Sequence, residues 1–166
     1  MKKLMMVLSV FAISMILVQS ALAQSTQTQN VTLAVSTVYL ISVSGNPSTM
    51  TISTGTAGTD ALTAVTDAST TYSITQNFGN TVKITAYLNT ALAAGYTLNL
   101  TLASAKGTSA GAVNISNALS ASAVNLVTGI ATGADAAKMI TYQFLANASA
   151  GTLASSSKTV TLTLTN

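Results

Sequence analysis

Few residues in this chain could do chemistry. The acidic side chains are Asp60, Asp67 and Asp135, and the sequence contains no Glu, Arg, His, Cys or Trp. Without His or Cys it offers no imidazole or thiolate metal ligand, thiol nucleophile or disulfide. Without Glu or Arg it lacks paired glutamates for acid–base catalysis and a bidentate clamp for anions. We therefore expect a non-enzymatic protein without a cofactor. An enzyme would need a Ser or Tyr hydrogen-bonded to a buried Lys or Asp in a cleft.

Two of the aspartates are candidate calcium ligands. Asp60 and Asp67 lie in a stretch rich in Gly, Thr and Ala that predicts a flexible loop. Carboxylate and carbonyl oxygens are the ligands that Ca²⁺ prefers, but the spacing matches no calcium loop and two carboxylates make a weak cage. Solvated loop side chains are the favoured interpretation, with a calcium site as the alternative. Asp135 and Lys138 predict a surface ion pair worth less than about 1 kcal/mol.

Two aromatic residues are candidate ligand contacts. Tyr87 is out of phase with the apolar residues around it, which predicts a solvent-facing ring, and Phe78 lies in a predicted turn. Exposed rings can bind sugars, so an extracellular carbohydrate- or polymer-binding module is the alternative function. The other four tyrosines share phase with aliphatic residues and are predicted to lie in the core: Tyr39, Tyr72, Tyr96 and Tyr142.

Residues 1–23 have the layout of a secretory signal peptide. Lys2 and Lys3 precede an apolar stretch, and Ala21 and Ala23 supply the small residues of a cleavage site before Gln24. The apolar run of about 15 residues is shorter than the roughly 20 that a membrane-spanning helix needs. We predict cleavage after Ala23 and secretion by a bacterium into the periplasm, onto the cell surface or into the medium.

The rest of the chain is almost uncharged. Residues 24–166 contain four lysines and three aspartates, a formal net charge of +1. Binding to nucleic acid requires several clustered basic residues that displace counterions, and none are clustered here. We therefore expect no nucleic-acid partner, and no membrane span in the mature chain.

Apolar residues recur at every second position, which is typical of half-buried strands. The alternation is clearest over residues 82–88, 96–102, 140–146 and 160–164, where Thr fills many of the intervening positions. β-Branched Thr suits a pleated surface and keeps its outer face wet without charge. Weaker or shorter strands are predicted at residues 31–35, 39–43, 50–52, 72–74, 113–115 and 124–130.

About eight to ten short strands separated by turn residues predict an all-β fold. We expect a single antiparallel two-sheet β-sandwich over residues 31–166, immunoglobulin-like or jelly-roll-like, preceded by the signal-peptide helix. No window has helical periodicity over three turns, although residues 134–138 could form one helical turn. The irregular strand spacing argues against a repeat solenoid.

The start of the mature chain has two interpretations. Residues 24–30 form a polar, uncharged N-terminal arm that leads into alternating Val31, Leu33 and Val35. These three residues could be an assembly strand that adds to a neighbour's sheet. They could also be the domain's own first strand after a short tail, and the sequence alone favours this second interpretation. The lack of charge leaves sheet edges unprotected and favours self-association.

These features resemble bacterial surface-filament subunits of the pilin type and WxL-type surface domains. The resemblance rests on the leader, the Thr- and Ala-rich sandwich, the N-terminal segment and a final hairpin of residues 139–146 and 159–165. It implies a structural or adhesive surface protein whose partners are copies of itself, other surface proteins or glycans. The chain departs from chaperone–usher pilins in lacking a disulfide and a C-terminal aromatic residue, and from WxL domains in lacking their Trp motif.

Overall fold

The computed structural model describes residues 25–166, so the predicted signal helix and its cleavage site at Ala21, Ala23 and Gln24 lie outside the described residues. Within this range the chain forms nine strands and two short 3₁₀ helices. The strands are β1 (Tyr39–Val43), β2 (Val65–Gln76), β3 (Val82–Leu88), β4 (Tyr96–Leu102), β5 (Thr108–Ser109), β6 (Val113–Asn114), β7 (Val124–Ile130), β8 (Gly133–Ala146) and β9 (Val160–Thr165). The 3₁₀ helices are Ser120–Ser122 and Ala148–Ala150.

The strands form two antiparallel sheets. The five-stranded sheet has the order β1-β2-β8-β4-β6, and the four-stranded sheet has the order β5-β7-β3-β9. Both belong to one compact unit, Ser36–Asn166. The predicted all-β, two-sheet antiparallel sandwich is confirmed.

The core lies between the inner faces of the two sheets. In β3 and β4 every second side chain is buried, beginning with the first residue of each strand. Ile84, Leu100, Ile115, Leu126 and Ile130 have no measurable exposure. The predicted phase of residues 82–88 and 96–102 is therefore confirmed, because each of these strands has a strand on both sides and a sheet above its inner face.

The predicted helical turn at residues 134–138 is wrong, because these residues belong to β8. Here Tyr72 pairs with Lys138 and Ile74 with Asp135, so Ala136 and Ala137 stand together opposite a single residue of β2. An extra residue of this kind is a β-bulge. Ala137 has a positive φ of 51° and donates its amide to the Ser73 hydroxyl at 3.0 Å. The alternation fails at this point because the strand is bulged.

Three further local predictions are corrected. Residues 50–52 form no strand, although Met50 packs against the core. The flexible loop predicted to hold both Asp60 and Asp67 ends before Asp67, because β2 begins at Val65. Tyr39 was predicted to be core, but it is 37% exposed in the edge strand β1.

The predicted final hairpin is also wrong. The strand at residues 139–146 is part of β8 in the five-stranded sheet, whereas β9 pairs with β3 in the four-stranded sheet. The chain therefore crosses from one sheet to the other between the last two strands. Residues 25–166 contain no helix with the length and hydropathy that a bilayer crossing requires.

Candidate assembly surface

Residues 25–35 form no strand, and every side chain among them is exposed. Val31, Leu33 and Val35 are exposed by 72%, 86% and 87%. The prediction that they form the domain's own first strand is therefore wrong. A single exposed aliphatic residue is ordinary, but three at alternate positions would share one face if the segment were to become a strand. We call residues 31–35 the apolar segment.

The chain is tied to the sandwich directly after the apolar segment, through Asn77 at the end of β2. The Asn77 side-chain amide donates to the Ser36 carbonyl at 2.9 Å, and its Oδ1 accepts from the Val38 N–H at 2.6 Å. The Asn77 backbone N–H donates to the Val38 carbonyl at 3.2 Å. These bonds fix Ser36 and Val38, the first residues of the sandwich, beside the end of β2.

The edges of the two sheets are unequal. At one edge of each sheet lies a two-residue strand, β5 or β6, and at the other lies a longer one, β1 or β9. Natural edge strands are protected by shortness, Lys, Pro or bulges. β1 and β9 have five and six residues, contain no charged residue and no Pro, and approach each other across the gap between the sheets. These two edges lack the usual protection.

β9 has a paired strand, β3, along one edge only. Its inward residues Val160, Leu162 and Leu164 lie directly opposite Leu88, Ala86 and Ile84 of β3. The β3 residues are at most 1% exposed, whereas the β9 residues are partly buried and pack against the rim of the core. The sequence predicted a half-buried strand here. The structure shows that the core is incomplete beside them, because no strand follows β9 in the sheet.

β1 borders the same opening from the other sheet. Tyr39, Ile41 and Val43 pair with buried residues of β2, but Tyr39 is 37% exposed and Val43 54% exposed. On the outer face of β1, Leu40 is 60% exposed. The apolar surface around this end of the sandwich therefore extends over both edge strands.

Asp60 and Asp67 serve as hydrogen-bond acceptors for loops. Asp60 accepts from the Ser149 amide at 2.7 Å and the Ser149 hydroxyl at 2.8 Å. Asp67 accepts from the hydroxyl and amide of Ser69 and from the Ser48 amide. The Ser69 hydroxyl, followed by these amides, lowers the pKa of Asp67 below its usual value. No cluster of three or more potential metal-ligating side chains exists among residues 25–166.

Asp135 was predicted to lie in a surface ion pair, but its side chain is only 4% exposed. It contacts Lys138 Nζ at 3.1 Å and accepts from the Ala105 amide at 2.8 Å and from the Ser104 hydroxyl at 3.2 Å. Burial raises the pKa of Asp135, but the Ala105 amide, Lys138 and Ser104 outweigh it and hold the pKa below its usual value. The carboxylate anchors the loop after β4 to β8.

The pair of Ser104 and buried Asp135 has a composition that could suggest catalysis, but its geometry does not support it. Ser104 Oγ accepts amide hydrogens from Lys106 at 3.3 Å and Gly107 at 3.0 Å, which occupies the oxygen that a nucleophile would use. A carboxylate with a lowered pKa is also a poor general base. Tyr72 is no substitute, since its hydroxyl donates to the Ala103 carbonyl and burial raises its pKa.

The candidate ligand contacts Tyr87 and Phe78 do not form a platform. Phe78 packs against the core, and its ring lies 5.5 Å from that of Tyr39. Tyr87 is partly buried in β3, opposite Thr161 of β9, and has no ring partner among the described residues. The depression lined by Asn114, Asn117, Ala118, Ser122 and Val124 contains no aromatic or charged side chain.

Comparisons with protein-family models, with curated proteins and with solved structures give no significant match. Sequence reasoning identified Val31, Leu33 and Val35, but it missed the open edge of β9 and the attachment by Asn77. Both depend on which strands pair, and an Asn directly after a strand is the only local sign of such an attachment.

Proposed function

We propose that the protein is a secreted, non-enzymatic structural component of the bacterial surface, whose copies join by β-strand addition. The observation that carries this proposal is the exposure of Val31, Leu33 and Val35 on a segment that lies outside both sheets. Strand addition would supply backbone partners for the segment and an apolar environment for alternate side chains. The features of the resemblance to surface-filament subunits that do not depend on the final hairpin point in the same direction: the predicted leader, the Thr- and Ala-rich sandwich and the N-terminal segment.

The energetics favour burial of the three side chains together. Complete burial of an aliphatic side chain contributes about 1.5–3 kcal/mol, and each new backbone hydrogen bond contributes about 0.5–1.5 kcal/mol net. Association itself costs on the order of 4–15 kcal/mol. Three aliphatic residues and a short ladder together reach the size of this cost, and the loss of any one of them reduces the margin. We therefore expect a substitution of Val31, Leu33 or Val35 by a small or polar residue to weaken association.

The uncharged surface also supports association. Residues 24–166 carry a formal net charge of only +1, so copies of the chain repel each other weakly. No lysine lies within β1, β9 or the apolar segment to oppose strand pairing. Lys158 lies two residues before β9 and donates to the Thr90 hydroxyl and the Ala91 carbonyl. Lys83 of β3 lies opposite Thr165 of β9.

The first test is the mass and shape of the secreted, purified chain, measured by light scattering and negative-stain electron microscopy over a range of concentrations. We expect a series of oligomers or filaments that grows with concentration. A uniform monomer at every concentration would contradict the proposal.

A matched pair of variants tests the apolar segment. Val31→Asp with Leu33→Asp places two charges on the face that must be buried, and oligomers should be lost because an unpaired buried charge is costly. Thr32→Asp with Ala34→Asp adds the same charge to the opposite face, which stays in water, and most assembly should remain. Equal loss in both variants would indicate general charge repulsion instead of strand addition.

A further inference from the structure

We propose that the acceptor for this strand addition is the free edge of β9, so that the apolar segment of a second copy becomes the outermost strand of the four-stranded sheet. This inference rests on the proposed function and specifies its acceptor.

The backbone of β9 has unpartnered groups on its free side. The Asn89 N–H donates to the Thr159 carbonyl at 3.0 Å, which makes these residues a hydrogen-bonded pair in the register of β3 and β9. Such pairs alternate in antiparallel ladders. Thr161, Thr163 and Thr165 therefore bond to β3, and the backbone groups of the alternate residues, Val160, Leu162 and Leu164, face outward. Among the described residues, no backbone bond outside the β3 ladder reaches residues 160–165.

The inward side chains of β9 match the apolar segment in number and spacing. Val160, Leu162 and Leu164 occupy alternate positions, as do Val31, Leu33 and Val35. A strand placed with Leu33 opposite Leu162 sets the two rows of aliphatic side chains side by side on the inner face, in either direction of the added strand. The row on β9 is partly exposed and the row on the segment is almost fully exposed, so both lose contact with water.

The outer face distinguishes β9 from β1. In the same register Thr32 and Ala34 lie beside Thr161 and Thr163 on the outer face. These small and hydroxyl-bearing side chains extend the polar outer face of the sheet, where Thr85 of β3 is paired with Thr163. Beside β1 the corresponding neighbours would be Ser42 and Leu40, and Leu40 would stay exposed. The inner face of β1 also carries the bulky ring of Tyr39, which is already packed against Phe78. β9 is therefore the better match on both faces.

Disulfide cross-linking tests the acceptor directly, because the chain contains no cysteine of its own. The acceptor is the full chain with Val31→Asp and Leu33→Asp, which cannot donate, and with Thr163→Cys. The donor keeps its apolar segment and carries Thr32→Cys for an antiparallel arrangement or Ala34→Cys for a parallel one. Facing residues of neighbouring strands lie within the Cα separation that a disulfide needs.

We expect a disulfide-linked donor–acceptor dimer with one of the two donors, lost on reduction and lost when the donor also carries Val31→Asp and Leu33→Asp. The matched control replaces Thr163→Cys by Ser42→Cys in the acceptor, which reports on the edge of β1. Linkage to Ser42→Cys in place of Thr163→Cys would overturn β9 as the acceptor, and so would no linkage to either in a protein that forms oligomers. A wild-type chain that stays monomeric would instead remove the proposed function itself.

Amide hydrogen exchange gives a second measurement that needs no cysteine. A synthetic peptide of residues 29–36 is added to the full-length Val31→Asp, Leu33→Asp variant. The amides of Val160, Leu162 and Leu164 should exchange roughly tenfold more slowly, while those of Thr161 and Thr163, already bonded to β3, should change little. Slowing at Tyr39, Ile41 and Val43 instead would place the added strand on β1, and a chain unchanged at both edges would also overturn the inference.

Discussion

The strand β4 and the apolar segment have the same pattern of alternating aliphatic residues and opposite environments. In β4, Leu100 and Leu102 are fully buried, whereas Leu33 and Val35 of the segment are more than four-fifths exposed. The difference lies in their neighbours, since β4 pairs with β6 and β8 and the segment pairs with no strand of the described chain. Alternation therefore indicates what a segment can bury, and pairing decides whether it does.

The strand β9 lies between these extremes. It has one neighbour, β3, and its inward Leu164 is partly exposed, whereas Ile84 directly opposite is completely buried. Burial thus falls as the number of flanking strands falls from two to one to none. This gradient marks the side of the molecule where a further strand would have most to cover.

The largest effect should separate the core from the apolar segment. Leu100→Ala leaves a cavity in a fully buried site and should lower the free energy of unfolding by about 2–5 kcal/mol. Leu33→Ala should change it by less than about 0.5 kcal/mol, because the side chain is exposed in the monomer. Denaturant unfolding of dilute protein measures both. Equal losses of unfolding free energy would show that Leu33 packs within its own chain, and would contradict the difference in environment between β4 and the apolar segment.

A smaller effect should separate buried from exposed carboxylates. Asp135→Ala leaves the Ala105 amide and the Lys138 ammonium without their acceptor, and should cost about 2 kcal/mol. Asp60→Ala removes an exposed acceptor of Ser149 and should cost less than about 1 kcal/mol. Thermal unfolding of the two variants at neutral pH compares them. A larger loss of stability for Asp60→Ala than for Asp135→Ala would show that Asp135, the anchor of the loop after β4, is the weaker of the two.

Acid should act on the same anchor. The pKa of Asp135 lies below its ordinary value, so the ionised form stabilises the native state above pH about 4. This stability is lost as the pH falls from about 4 towards the lower pKa of the folded state. Asp135→Asn should therefore flatten the acid side of the stability profile, measured by unfolding between neutral and low pH. Asp67 has a lowered pKa as well, so the profile should keep some acid dependence.

The smallest effect on stability concerns the leader. We expect intact mass spectrometry of the secreted chain to show a mature N-terminus at Gln24. Replacing Ala23 by Asp should block processing, because the cleavage site requires small residues, whereas Leu22→Val at the variable position should be processed normally. Unfolding of the sandwich should be unchanged in both chains. A different N-terminus would change the length of the arm that precedes Val31.

Much of the fold could be predicted from the sequence because strongly alternating strands fill both faces of the core. The phases of β3 and β4 are correct for this reason, and so is the two-sheet architecture. The bulge at Ala137 could not be predicted, since it depends on which residue of β2 stands opposite. The crossing of the chain between β8 and β9 is likewise a property of pairing, which local pattern does not contain.

Only part of the candidate surface could be predicted from the sequence. Val31, Leu33 and Val35 are conspicuous after a polar arm, but a monomer strand and an exposed segment have identical patterns. The incomplete core beside Leu162 follows from the sheet order alone. The loop anchor at Asp135 was misjudged because its partners, Ser104 and Ala105, are distant in sequence.

The apolar segment and the edge of β9 are different surfaces of one molecule, and this has a consequence for any assembly that joins them. A contact between unlike surfaces is heterologous, so every copy added offers the same unfilled surface again, and growth continues unless a ring closes. The two tips of such a fibre are chemically distinct, one with a bare sheet edge and the other with a free segment. A short peptide of residues 29–36 would cap the first tip directly, whereas it would stop growth at the second tip only by occupying the β9 edge of each incoming copy.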